Sequence, residues 1–174
     1  MWDVITRLSD EREIFVSEAD FQFALAWQIQ KQYPEAEIRL EYCPADIDMS
    51  MHVDILVRLD GLNIPIELKY FKLGCDVTVN GERFVLKNQG AQDTARYDFI
   101  KDVSRIERLL IADPKFITGY VIALTNDPTY WNEPKDSNTC DAAFRIHEGT
   151  IKSGNLSWAE HITPRNLPYG VAGL

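Results

Sequence analysis

Two alternating runs joined by Asp60-Gly61 constrain this chain more than any other stretch of it. Asp-Gly is a favoured two-residue hairpin loop, because both central positions of a type I′ turn need positive φ. If these two residues form the loop, Leu59 faces Leu62, Val57 faces Ile64, Ile55 faces Ile66 and Val53 faces Leu68. All four pairs are apolar, as a buried sheet face requires, and a slip of one residue would turn every one of them outward. Turn chemistry and burial pattern choose the same register.

The opposite face carries the chemistry. In that register Asp54 stands across from Glu67, and His52 across from Lys69. Directly opposed side chains have Cβ atoms about 4.5–5.5 Å apart, so two facing carboxylates repel. A hairpin that served only as scaffold would avoid that cost. A divalent cation between the pair removes the repulsion, and magnesium is satisfied by one or two carboxylates with waters and phosphate oxygens. Lys69 projects from the same face as Glu67, because strand side chains alternate with period two. These groups suit phosphodiester hydrolysis. A metal polarises a phosphoryl oxygen and lowers the pKa of bound water. A lysine beside it orients or deprotonates that water, or stabilises the developing charge. Taken singly, each residue would be an ordinary solvated strand charge, and Glu67 with Lys69 a surface pair worth under about 1 kcal/mol. The facing pair with its flanking lysine is what points to a site.

The rest of the chain supplies the frame. A helix is expected from Glu18 to Tyr33, with Ser17 as N-cap, Asp20 completing a capping box, and Phe21, Leu25 and Ile29 at helical spacing before Pro34. Strands are expected over Glu37–Cys43, Met51–Leu59 and Leu62–Tyr70, then a hairpin from Asp76 to Lys87 turning at Asn80-Gly81. A long helix from Ala91 to Ile111 stops at Asp113-Pro114, and Phe116–Leu124 reads as a buried strand. The remaining residues, rich in Asn, Asp, Pro and Ser, are expected to form loops with one or two short edge strands. The chain shows no repeat or linker, so one α/β domain over residues 1–174 is expected, a mixed sheet with helices against it.

Asp54, twelve residues, then Glu67-Leu68-Lys69 resembles the motif of the PD-(D/E)XK nucleases, the restriction-endonuclease-like superfamily. The resemblance covers Glu18 to Asn126 and implies an αβββαβ core with the Asp and the ExK on adjacent antiparallel strands. It implies hydrolysis of nucleic acid, with DNA the expected polymer, using magnesium or manganese. Asp54 and Glu67 would be metal ligands, joined by a backbone carbonyl of Ile66 or Leu68, with Lys69 as the catalytic cation. Many members add a glutamate from the first helix, and Glu18, with Gln22 one turn later, is the candidate. An acid in a first helical turn is also favoured by the helix dipole alone. Val53 stands where the motif often has Pro, a departure the family tolerates.

On the long helix, Gln92 and Arg96 extend the stripe of Phe99, Val103, Ile106 and Leu110 to a polar, core-facing start and are candidate substrate contacts; Gln92 with Tyr97 partly resembles a Gln and Tyr pattern of some members. Lys101, Arg105 and Arg108 form a second stripe. It reads as a solvated face paired with Asp98 or Asp102 more readily than as a phosphate-contacting one. His52 is a candidate phosphate contact.

Charge and composition narrow the alternatives. The net charge is −9, with residues 1–60 at −8 and residues 61–115 at +1. Coating nucleic acid non-specifically draws on excess Lys and Arg, so this balance argues against it. A homodimer or protein partner would then supply gripping surface. The same balance keeps open a catalytically inactive nuclease-like module that binds nucleic acid or protein. Cys43, Cys75 and Cys140 are scattered and odd in number, and His52, His147 and His161 lie far apart, so a zinc site is not expected and a cytoplasmic setting is. No apolar run approaches the roughly 20 residues that span a bilayer.

Overall fold

Four strands with helices on both sides organise residues 1–159, the part of the chain described by the computed structural model. In chain order these are α1 (Trp2–Glu11), α2 (Glu18–Gln32), β1 (Glu37–Tyr42), β2 (Val53–Leu59), β3 (Leu62–Phe71), the β4 (Cys75–Val79) and β5 (Glu82–Leu86) hairpin, α3 (Gln92–Ala112) and β6 (Tyr120–Thr125). The sheet runs β1-β2-β3-β6. Its first three strands are antiparallel, and β6 lies parallel to β3 after the α3 crossover that such pairing requires. The fold is therefore mixed α/β, with a mixed sheet flanked by helices. Among the described residues, no helix is long and apolar enough to cross a membrane.

Local chemistry explains the elements. Asp60 and Gly61 have φ of 53° and 78°, and Asn80 and Gly81 have 51° and 83°, so both hairpins turn through two positive-φ residues. Leu59, Val57 and Ile55 meet Leu62, Ile64 and Ile66 as the turn dictates. Ser17 accepts the Asp20 N–H at 3.0 Å and caps α2. Asp20 does not close a reciprocal box on Ser17. Its carboxylate accepts the Val16 N–H at 2.9 Å and a bidentate Arg12 contact at 2.6 and 2.7 Å.

Ile55, Val57, Ile66 and Leu68 pack with Val4, Leu8, Phe21, Leu25 and Ile29 of α1 and α2. The opposite face meets α3, where Leu56 packs with Leu109 and Phe116. α1 is an element the sequence reading leaves unassigned. It has no side-chain cap, and only Val4 and Leu8, one turn apart, are buried. The last strand starts later than expected, because Phe116 makes only an isolated bridge to Asn63. Just before β6, Gly119 lies hard against α3: a Cβ there would overlap the Ile106 Cγ2 methyl and sit 3.2 Å from Pro65 Cγ. Of the region expected to be loop with short edge strands, residues 126–159 hold a 3₁₀ turn, Ala142–Phe144, and a single bridge residue, while the rest, His161 included, lies outside the described residues.

Candidate active site

The β2–β3 ladder runs from Leu59–Leu62 to Ile55–Ile66 and stops one row short of the carboxylates. There the Leu68 N–H donates to Asp54 Oδ2 at 2.6 Å, so a side chain takes the place of a main-chain partner. Val53, expected across from Leu68, is paired with Tyr42 of β1. Asp54 and Glu67 nevertheless stand within hydrogen-bonding reach of each other. The expected juxtaposition is present, and the splayed row makes room for it.

Glu67 is only 1% exposed. Its Oε1 accepts from Arg105 Nη1 at 2.6 Å, and the same Nη1 lies 3.0 Å from Asp102 Oδ1. Asp102, 3% exposed, places Oδ2 2.7 Å from Lys69 Nζ, a charge contact rather than an aligned hydrogen bond. Glu67, Arg105, Asp102 and Lys69 thus form a chain of alternating charge that ties β3 to α3. From the α2 side, Glu18 Oε2 accepts the Tyr70 N–H at 2.8 Å. Buried Gln22 donates to the Asp54 carbonyl at 2.7 Å and to Glu41 Oε1 at 2.8 Å.

Burial sets the protonation of the cluster. It pushes Glu67 from its ordinary 4.5 up to about 8, with Arg105 opposing and the Asp102 and Asp54 charges adding. Burial also raises Asp54 against the Leu68 N–H, and Glu18 against the Tyr70 N–H. For Lys69, burial alone would lower the amine, but Asp102 together with the Glu18 and Asp54 charges outweighs it and the pKa is raised. Lys69 is therefore a fixed cation and a poor proton acceptor.

Four carboxyl groups (Glu18, Asp54, Glu67 and Asp102) gather around two cations, Lys69 and Arg105, and burial raises the proton affinity of Glu18, Asp54 and Glu67. Carboxylate oxygens are the ligands a hard divalent cation takes. The facing pair of Asp54 and Glu67 would hold the ion. Among the described residues, no group of three or more His, Cys, Asp or Glu side chains stands in metal-holding geometry. Magnesium does not require three, since waters and phosphate oxygens complete its shell.

The other expected residues lie apart from these groups. His52 precedes β2 and is exposed, with none of the hydrogen bonds that hold the cluster, so its expected place across from Lys69 is not formed. Arg96 is 4% exposed; its guanidinium donates to Asp141 Oδ2 at 2.7 Å and to the Thr129 carbonyl at 3.2 Å, and it lies over the Tyr130 ring. Gln92 hydrogen-bonds Asp127. Both anchor the segment after β6 to the start of α3, which gives a core-facing polar pair a structural task. An apolar cavity of about 610 Å³ between α1 and β6, lined by Trp2, Ile5, Leu8, Tyr120 and Ile122, contains none of the ionic groups.

Three residues of the cluster escape the sequence reading. Asp102 and Arg105 read as a helical i,i+3 surface pair. Asp102 is buried instead, because α3 lies against the charged face of β3. Glu41, with a φ of 50°, occupies the β1 position between the Leu40–Ile55 and Tyr42–Val53 pairs, and its charge reaches Asp54. No turn fixes the β1–β2 register in the sequence, so nothing there announces it. Neither a protein-family model, nor a curated protein, nor a solved structure matches this chain.

Proposed function

We propose that this chain is a metal-dependent nuclease that hydrolyses phosphodiester bonds of nucleic acid, with DNA the expected polymer, in the manner of the PD-(D/E)XK superfamily. One observation carries the reading: Asp54 and Glu67 are held face to face at a splayed row of the β2–β3 pair, with Lys69 two residues on. The helix, three strands, helix and strand that surround them follow the order such a core implies.

Asp54 and Glu67 would hold magnesium or manganese, with the Leu68 carbonyl as a further donor. When bound, the ion supplies Lewis acidity and an activated water. The remaining work belongs to the chain. Lys69, kept protonated by Asp102, offers its positive charge to the phosphate as negative charge develops in the transition state. Glu18, through the Tyr70 N–H, fixes α2 against β3 beside the lysine and adds an anionic field that favours cations there. Gln22 holds the Asp54 main chain, so the carboxylate is aimed by its backbone as well as by Leu68.

A second reading, a nuclease-like module that binds nucleic acid or protein without cutting, draws on the closed Glu67–Arg105–Asp102–Lys69 chain and on the net charge of −9. The deciding experiment is cleavage of single- and double-stranded DNA and RNA with magnesium, manganese or EDTA, comparing wild type with Lys69→Ala. Metal-dependent cutting by the wild type, lost in the variant by 10²-fold or more, is the expected outcome. No cutting of any polymer, with no metal-induced change in thermal midpoint, would sink the enzyme reading and favour the binding module. On either reading, an acidic chain would draw its grip on a polyanion from a second copy or a protein partner.

A further inference from the structure

Arg105 stands where a cation is needed and leaves little room for another. Its Nη1 alone spans the gap between Glu67 Oε1 at 2.6 Å and Asp102 Oδ1 at 3.0 Å, and its charge also reaches Asp54. The hydrogen bond to Glu67 runs through Nη1. Asp102 in turn uses its second oxygen on Lys69, so one buried carboxylate serves both cations of the site. Arg105 and Lys69 are 29% and 24% exposed at their side chains, and Glu67 and Asp102 are 2% and 4%, so the two cations are the members of the chain with room to move. Asp102 lies one helical turn away on the same element, so Arg105 can leave Glu67 without losing its second partner.

Resting on the nuclease reading above, we infer that Arg105 is the resident counter-ion of Glu67. Its guanidinium would compete with a divalent ion for the Glu67 carboxylate. Asp102 is the positioning residue that holds Lys69 and retains Arg105 when the ion arrives. A bound ion would shift the guanidinium from Glu67 towards Asp102 and leave Arg105 able to contact a substrate phosphate, which a planar guanidinium binds bidentately.

The consequence has a sign opposite to that of a simple stabilising salt bridge. Removing Arg105 removes a positive charge that competes with the metal, so metal affinity rises. A unit charge a few ångströms from a divalent ion changes its affinity about ten-fold even with water-like screening. Removing the Asp102 charge has the reverse effect.

The test is Mn²⁺ binding to the full chain by titration calorimetry, for wild type, Arg105→Gln and Asp102→Asn, with circular dichroism to verify folding. We expect Arg105→Gln to bind about ten-fold tighter than wild type, and Asp102→Asn to bind more weakly. Equal or weaker binding by Arg105→Gln, with the wild type binding normally, would overturn the inference and leave the nuclease reading standing. Absence of binding by the wild type would overturn both. A second measurement needs no variant: the Arg105 side-chain nitrogen resonance of the wild type should move on Mg²⁺ titration with the midpoint of binding. A resonance that stays fixed at saturation would equally overturn the inference.

Discussion

Glu67→Gln offers the most direct probe of the buried charge. Burial raises the Glu67 carboxyl from 4.5 to about 8, so through most of that interval the folded chain holds a proton that the unfolded chain has released. The stability tied to that proton is complete below pH about 4.5 and is lost as pH climbs through about 8. Each pH unit within the window lowers wild-type stability by about 1.4 kcal/mol through this group alone. Glutamine mimics the neutral acid at every pH. The variant should therefore match the wild type near pH 4.5 and exceed it by roughly 4–5 kcal/mol near pH 8, in EDTA. Urea unfolding across that range measures the divergence directly. Subtracting the two profiles removes Asp54 and Glu18, whose raised pKa values tilt both proteins in the same direction. Parallel profiles would refute the argument, since they would mean that Glu67 is ionised in the folded state at neutral pH. Magnesium should flatten the wild-type slope and leave the variant's unchanged.

Asp54→Asn keeps an acceptor for the Leu68 N–H and deletes a crowded charge. The metal-free thermal midpoint should rise by a few degrees, about 1 kcal/mol, and its response to magnesium should vanish; calorimetric melting with and without the ion reads both. Arg96→Ala leaves Asp141, 2% exposed, without its 2.7 Å partner. Arg145 and Thr139 still hold that carboxylate, so urea unfolding should show a loss of about 1.5–3 kcal/mol, the worth of a hydrogen bond to a charged group. Mn²⁺ affinity of the folded variant should stay at the wild-type value, because Arg96 belongs to a separate cluster.

What could be read from the sequence was local. The Asp60-Gly61 and Asn80-Gly81 turns, the Ser17 cap and the hairpin register each depend on residues within a few positions, and each formed. The Asp54–Glu67 juxtaposition followed from that register. The register did not reveal that the row would open, because the Asp54 side chain competes with the main chain for the Leu68 N–H. Contacts between distant segments were out of reach. Arg105 meets Glu67 across 38 residues, and Asp102 looked like a surface acid until α3 was laid on the sheet. Arg96 was read as a candidate substrate contact, and its partners, Asp141 and Thr129, lie in a segment without periodicity to place them.

Gly119 gives the packing of α3 a further meaning. A single hydrogen atom at that position is the gauge that sets the helix's height above the sheet, because a methyl group would collide with the stiff, β-branched Ile106 and the rigid ring of Pro65. Ile106 follows Arg105 directly. Lifting the helix by about an ångström would stretch the 2.6 Å link to Glu67 beyond hydrogen-bond length, and with it the whole ionic bridge between helix and strand. The reach of the charged groups is thus calibrated on the far side of the helix turn, by an atom that carries no charge and touches no substrate.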